Sequence, residues 1–370
     1  MIRSLKTWLM VVLAGVVVAA LGRTFETHRD EEKLEGSQIT EKIKTVCIGR
    51  FLIDMPAEAQ YELHGARIDG FSIVAFEESD AGFQERVLAR KAQIEAVTDR
   101  PGRRNNLEVA SKVRNNHGVA GHIFVHGRNV TEGQSSDGLT VARYRYESVA
   151  VEALVHVDGI SIDVSASDHD PESIGNLSTL IAQIVPNPEN RTPTAPGYCI
   201  DRAFIRDPLS ADQGEQIVMN ARLPNWPDIT FNMILAAGTE PDREGLLERA
   251  ANSNTRPIDD ERKRVKRLRS DRRVIGGISG DDLAERFLEN EDTVVHSFWW
   301  EVNGTQDNVF VPHLVFRMDT GHSVNGPVPS SLSDIAALQL WDKIVSSIRL
   351  RPINAQNATQ PVPPPSLTKK

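Results

Sequence analysis

Between Lys44 and Leu350 the chain is written mostly as short runs in which apolar and polar residues alternate, the period of half-buried strands. "VCIGRFLIDMP" (Val46–Pro56), "YELHGARIDGFSIVAFEE" (61–78) and "LTVARYRYESVAVEALVHVDGISIDVSAS" (139–167) read this way. Two stretches switch to the helical period. Gly82–Val97 sets Phe83, Val87, Leu88, Ile94 and Val97 along a helix, and "DPESIGNLSTLIAQIV" (170–185) carries Pro171 in its first turn behind an Asp170 cap.

The same order of segments then returns. "YCIDRAFIRDP" (198–208) repeats Cys47, Ile48, Arg50, Ile53 and Pro56 as Cys199, Ile200, Arg202, Ile205 and Pro208. An alternating segment (215–238), a helical pattern (240–253), a short strand "RRVIGGISG", a long alternating run (293–321) and a closing helix (329–348) follow. In the two closing helices Leu180/Leu340, Ile184/Ile344 and Val185/Val345 fall in register. The pattern predicts an α+β fold of two tandem, internally duplicated domains, each an antiparallel sheet with two packed helices.

Boundaries follow from the interruptions. "PNPENRTPTAPG" holds Pro186, Pro188, Pro193 and Pro196, too many for a helix or a ladder, so residues 187–197 are a linker between domains at 44–186 and 198–350. Residues 351–370 are a proline-rich tail and 24–43 a charged tether. At the start, Arg3 and Lys6 precede "WLMVVLAGVVVAAL" (Trp8–Leu21), an apolar run short of the ~20 residues that span a bilayer. Residues 1–23 therefore read as an export signal, with an uncleaved inner-membrane anchor as the alternative. Both readings put the body of the chain in the periplasm.

Composition narrows the function classes. The 370 residues suit two domains, and a net charge of −9 argues against nucleic-acid binding. Two cysteines cannot build a disulfide-rich scaffold or a four-cysteine zinc site. Cys47 and Cys199 occupy matching strands, so either each thiol is buried separately or the two copies bond across their interface. A bond demands Cα atoms within about 7 Å across a proline linker, and separate buried thiols are the reading preferred here. Arg50 and Arg202 recur at equivalent positions and read as structural partners of nearby carboxylates.

"CIGRFLIDMP" behind an export signal, "YCIDRAFI" behind a proline linker and the closing strand–strand–helix resemble a known family. It is that of the two-domain periplasmic immunity proteins cognate to the fourth class of type VI secretion lipase effectors. The resemblance runs from Lys44 to about Leu350 and rests on motifs that carry fold rather than chemistry. It implies a protein that clamps a secreted phospholipase with its two domains and blocks substrate access, with that effector as its partner. It transfers no contact residues.

The residue chemistry is that of a binding protein. "GGISGD" around Ser279 fails the nucleophile-elbow spacing, and both cysteines lie within strands rather than at helix N-termini. His122 and His126 fall on one strand face about 13 Å apart, too far for one ion. Asp168, Asp170 and Glu172 around His169 read as a turn and cap. No catalytic residue, metal or cofactor is expected. The candidates for partner contact are Arg262, Lys263, Arg264, Lys266 and Arg267 in "RKRVKRLRSDRR", together with Trp299 and Trp300. The basic run also reads as a solvated edge strand, and one tryptophan is expected in the core with the other outward. The rival functions are an exported hydrolase or lipid-processing enzyme, and an envelope structural protein touching membrane.

Overall fold

The computed structural model describes residues 38–97, 105–207, 214–253, 264–289 and 293–352. The expected signal or anchor, most of the tether, and residues 353–370 of the tail lie outside these. In the first half the strands are β1 (Ile43–Ile48), β2 (Phe51–Pro56), β3 (Gln60–Leu63), β4 (Ala66–Ile68), β5 (Phe71–Glu77), β6 (Leu107–Arg114), β7 (Ala120–Ser136), β8 (Val141–Val157), β9 (Ile160–His169) and β10 (Ile184–Pro186). The helices there are α1 (Asp80–Glu95) and α2 (Gly175–Gln183). The second half holds β11 (Gly197–Ile200), β12 (Ala203–Arg206), β13 (Glu215–Leu223), β14 (Trp226–Ala237), β15 (Val265–Ile275), β16 (Ile278–Leu288), β17 (Val294–Val302), β18 (His313–Thr320), β19 (His322–Ser323), β20 (Gly326–Pro327) and β21 (Arg349–Leu350). Its helices are α3 (Leu246–Ser253) and α4 (Asp334–Val345). The fold is mixed α+β, and among the described residues most lie in antiparallel strands.

Thirteen strands form one sheet, in the order β15-β16-β17-β18-β14-β13-β4-β5-β9-β8-β7-β6, with β3 also paired to β13. Read outward from the middle, both halves place their strands alike: β4, β5, β9, β8, β7, β6 on one side and β13, β14, β18, β17, β16, β15 on the other. The seam is antiparallel, with Ile68 opposite Glu215 and Arg67 opposite Gln216 in β4–β13, and Leu63 opposite Met219 in β3–β13. Backbone hydrogen bonds therefore run unbroken from one half to the other.

The cysteine hairpins sit outside this sheet and are exchanged between halves. β21, the end of the second half, pairs with β2 of the first, setting Phe51 opposite Leu350. β10, the end of the first half, pairs with β12 of the second, setting Val185 opposite Phe204. The expected closing helix through Val185 thus stops at Gln183. Ile184 is already extended, and two β-branched residues before Pro186 complete a ladder instead. The helix expected over 240–253 is also shorter, at Leu246–Ser253.

Helices cover the sheet where apolar residues face it. α1 starts at Ser79, whose hydroxyl accepts from Gly82 N at 3.1 Å, and buries Phe83, Val87 and Ile94 against Phe124 and Leu154. α4 is capped by Ser333 and buries Leu340, Trp341, Ile344 and Val345. Trp341 stacks between Phe298 and Phe316, with ring centroids at 5.6 and 5.3 Å, and its indole N–H donates to buried Asp282 at 3.1 Å. That bond satisfies the one polar atom an otherwise apolar ring brings inside.

One ion cluster ties α1 to the sheet and carries a pH prediction. Arg90 donates to both oxygens of Glu152, and His126 Nε2 lies 2.7 Å from Glu152 Oε1. Burial by itself would raise the Glu152 pKa; Arg90 and His126 outweigh it and hold the carboxyl down at about 2. A carboxyl held below its ordinary 4.5 stabilises the fold above that value and loses the contribution as pH falls toward 2. We expect Glu152→Gln to cost about 2–3 kcal/mol at pH 6 and almost nothing at pH 2. Urea unfolding at both pH values checks this, and an equal loss at the two would contradict it.

Candidate functional site

The joint between the halves is built from the two hairpins. Gly49 N donates to Cys199 O at 2.9 Å and Cys199 N to Gly49 O at 2.8 Å, an isolated bridge that sets β1 beside β11. Gly49 has φ +56°, a left-handed turn that glycine adopts freely, and a Cβ there would meet the Tyr198 ring at 3.0 Å. The bridge brings the cysteine Cα atoms to 5.9 Å, and Cys47 and Cys199 form a disulfide. The expectation of separate buried thiols is corrected. The linker does not set the distance; the exchanged hairpins do, and they pack Cys47, Leu52, Cys199 and Phe204 into one small cluster.

Beside the disulfide, Arg50 is buried and grips Glu215 through Nε at 2.9 Å and Nη2 at 2.6 Å, while reaching Asp207 at 3.2 Å. Burial alone would lower the Arg50 pKa, but two carboxylates against the guanidinium leave it above its ordinary value. Burial pushes Glu215 up; Arg50 pulls it back and the Asp207 charge adds to the rise, leaving it raised. The two shifts agree once the partners are counted, because the cation has two counter-charges and the carboxyl has one. Arg351, just past β21, closes the joint by donating to the carbonyls of Pro193, Ala195 and Gly197 at 2.7, 2.6 and 2.8 Å, so the residue that follows the last strand pins the linker. Arg202 pairs with Glu77 at 2.9 Å and Asp201 at 2.8 Å. Both repeated arginines thus hold carboxylates, Arg50 inside the joint and Arg202 at its rim. A polar groove of about 730 Å³ opens at that rim, between Tyr61, His64, Phe76 and Glu77 on one side and Asn190 and Arg202 on the other.

From Val265 on, the basic run lies on β15, the end strand of the sheet among the described residues. Arg269 and Arg273 turn toward Asp282 and Asp342, with contacts of 2.6–3.1 Å. Arg267 pairs with Glu285, Lys266 with Asp334, and Arg264 donates to the Glu289 carbonyl. Lys266 keeps its head largely in water, whereas Arg262 and Lys263 lie outside the described residues. Much of this charge therefore fastens the edge strand to β16 and α4. Trp300 is fully buried and donates to Arg273 O at 3.3 Å; Trp299 faces outward under the Arg317 guanidinium, 4.6 Å from its ring centre.

One grouping escaped the sequence because its members come from separate segments. His296 lies 3.0 Å from Asp334 Oδ1 and 3.3 Å from Ser330 Oγ, the residue types of a hydrolase triad. Its surroundings make it structural. His296 has no exposed surface, burial holds its pKa low, and its Nδ1 sits closer to Thr320 at 2.8 Å. Ser330 Oγ is spent on the Leu332 carbonyl and on Thr320. A nucleophile must reach substrate, and this hydroxyl is tied into a turn. Among the described residues no group of three or more His, Cys, Asp or Glu is placed to hold a metal ion.

Comparison with known proteins follows the same division of the chain. Residues 44–164 match the family described as the Tle cognate immunity protein 4 N-terminal domain, and residues 191–353 match its C-terminal domain. No curated protein matches. Among solved structures, the immunity protein TplEi of the T6SS from Pseudomonas aeruginosa is similar in its apo form, with a TM-score of 0.67 and 21% identity. The same protein complexed with "L" peptide gives 0.63 and 22%, and a crystal structure of the Tle4–Tli4 complex gives 0.67 and 20%. Each alignment covers 84% of this chain and 98% of the other. At these identities the likeness is one of fold.

Proposed function

The chain belongs to the Tle cognate immunity protein 4 family, and from that premise we propose that it neutralises a type VI secreted phospholipase by binding it and blocking substrate access. Family and structural neighbours are immunity proteins, inhibitors rather than enzymes. The observation that carries the proposal is the joint: two matched domains share one sheet, exchange hairpins and are welded by a disulfide and a buried ion pair. Two contact surfaces held rigidly before the partner arrives lose little freedom on binding, which is what tight inhibition requires.

Two further readings belong with it. The matching strand order and the reciprocal exchange of hairpins support an ancestral duplication about a pseudo-twofold axis. The disulfide supports export to the periplasm, since such bonds persist in oxidising compartments, in keeping with the apolar run at Trp8–Leu21.

The test uses the full-length protein and the type VI lipase effector from the same genome, with phospholipid hydrolysis as the readout. We expect complete inhibition at one immunity protein per effector, and no lipid turnover by the immunity protein alone. Undiminished hydrolysis at tenfold excess would overturn the proposal, and turnover without effector would restore the hydrolase reading.

A further inference from the structure

β7 and β8 are 17 residues each, whereas β16 and β17, at the corresponding places in the other half, are 11 and 9. The extra length leaves the sheet. β6 pairs with β7 only as far as His126, and β9 pairs with β8 only as far as Val149. Among the described residues, 129–136 and 141–148 then pair only with each other, as a two-stranded ribbon about 26 Å long, eight residues at ~3.3 Å each.

An isolated two-stranded ribbon is marginal in water, so this one needs stiffening. One face supplies it. Arg145 pairs with Glu132 and Glu147, and Arg128 joins Glu147 to Glu108 at 2.8 Å, carrying the chain of ion pairs down to β6. The tip is ordered as well: Asp137 accepts from Leu139 N at 2.9 Å and Thr140 N at 2.7 Å, which holds Leu139 up with 95% of its surface exposed.

The other face has a different chemistry. The cross-strand register places Asn129 with Ser148, Thr131 with Tyr146, Gly133 with Tyr144 and Ser135 with Ala142. None of the eight carries a charge. The Tyr144 ring lies across Gly133, where a Cβ would meet its hydroxyl at 2.3 Å, and the two tyrosine rings are 5.3 Å apart. Tyrosine, serine, glycine and asparagine on a rigid frame are the composition by which antibody paratopes hold folded proteins.

We propose that this ribbon docks its uncharged tyrosine face and its Leu139 tip on an uncharged, apolar patch of the lipase effector, an inference that rests on the function proposed above. A lipase must present apolar surface to lipid, and a face without charge covers such surface without stripping water from ions. The face measures roughly 26 Å by 10 Å, well short of the ~800 Å² per partner that a stable dimer needs. A second copy held by the ribbon alone would fall apart, whereas an effector held elsewhere on the molecule would not.

The test compares full-length wild type with Tyr144→Ser/Tyr146→Ser, Leu139→Ser, Tyr146→Arg and the opposite-face control Arg143→Gln. Affinity for the purified effector and melting temperature are measured for each. The double tyrosine variant should bind at least a hundredfold more weakly and Leu139→Ser about tenfold more weakly, with melting temperatures and the control unchanged. Tyr146→Arg replaces a side chain that is 69% exposed and should also bind more weakly at an unchanged melting temperature. Wild-type binding with the double variant and Tyr146→Arg within threefold of it overturns the inference while leaving the function standing. A wild type that binds no effector overturns the function itself, and with it this inference. Wild-type dimers, or wild-type binding to phospholipid vesicles, abolished by the same substitutions would assign the face to those occupants and overturn the inference too.

Discussion

Replacing Cys47 and Cys199 together by serine is expected to lower the unfolding free energy by about 5 kcal/mol or more. The bond spans a sequence separation of 152 residues, and closing a loop of that size removes about 5 kcal/mol of entropy from the unfolded chain in the loop-closure model. The location adds to the effect. Both sulfurs are buried beside Leu52 and Phe204, so two serine hydroxyls would enter an apolar cluster. Urea unfolding of the oxidised wild type against the double variant measures the difference, and wild type treated with dithiothreitol should move the same way. A change under 1 kcal/mol would mean that the hairpin bridge at Gly49 and Cys199 holds the joint without the bond. Hydrogen exchange offers a second readout, because the amides of the β4–β13 seam should lose protection before those of the β7–β8 ladder near Val125.

Arg50→Met should cost about 3–5 kcal/mol at pH 7, since removing one member of a buried pair leaves the other charge without compensation. Glu215 would be that charge; Asp207 is nearer the solvent. Removing the carboxylate as well, in Arg50→Met/Glu215→Leu, should recover most of the loss, because two well-packed apolar chains serve as well as a buried pair. The pH dependence separates this from simple loss of packing. Glu215 is already raised by burial, and without Arg50 it rises further. A carboxyl whose folded pKa exceeds its unfolded value favours the native state more as pH falls through the folded pKa, with the full gain present below the unfolded one. Arg50→Met should therefore recover stability relative to wild type between pH 7 and about 4.5. A deficit constant across that range would contradict the buried carboxylate as its cause.

Legibility in the sequence follows the range of the interaction. The alternation in β13, buried at Ile217, Met219, Ala221 and Leu223 and exposed at Gln216, Asn220 and Arg222, is a local property that the residues declare. So are the Asp170 cap, which tops a 3-10 turn at Pro171–Ser173 just ahead of α2, the 3.6-residue spacing of α1, and the repeated hairpins around the cysteines. The division into two matched family domains was also legible, because it rests on the order of such local segments.

What the sequence could not decide is what lies opposite what. The pairing of β21 with β2, the seam between β4 and β13, and the disulfide all join residues about 150 or more apart, where no period or spacing constrains the pairing. The basic run illustrates the same limit: its positive charge was plain, but Asp282 and Asp342, which neutralise Arg269 and Arg273, arrive from another strand and a distant helix. The outward placement of Trp299, the buried set around His296, and the point where β7 and β8 leave their neighbours were likewise decided in three dimensions. Local chemistry determines which elements form, since each is stabilised by residues a few positions apart. Their partners are chosen by the packing of the whole chain, because only there do apolar faces, buried charges and unpaired backbone groups find what satisfies them.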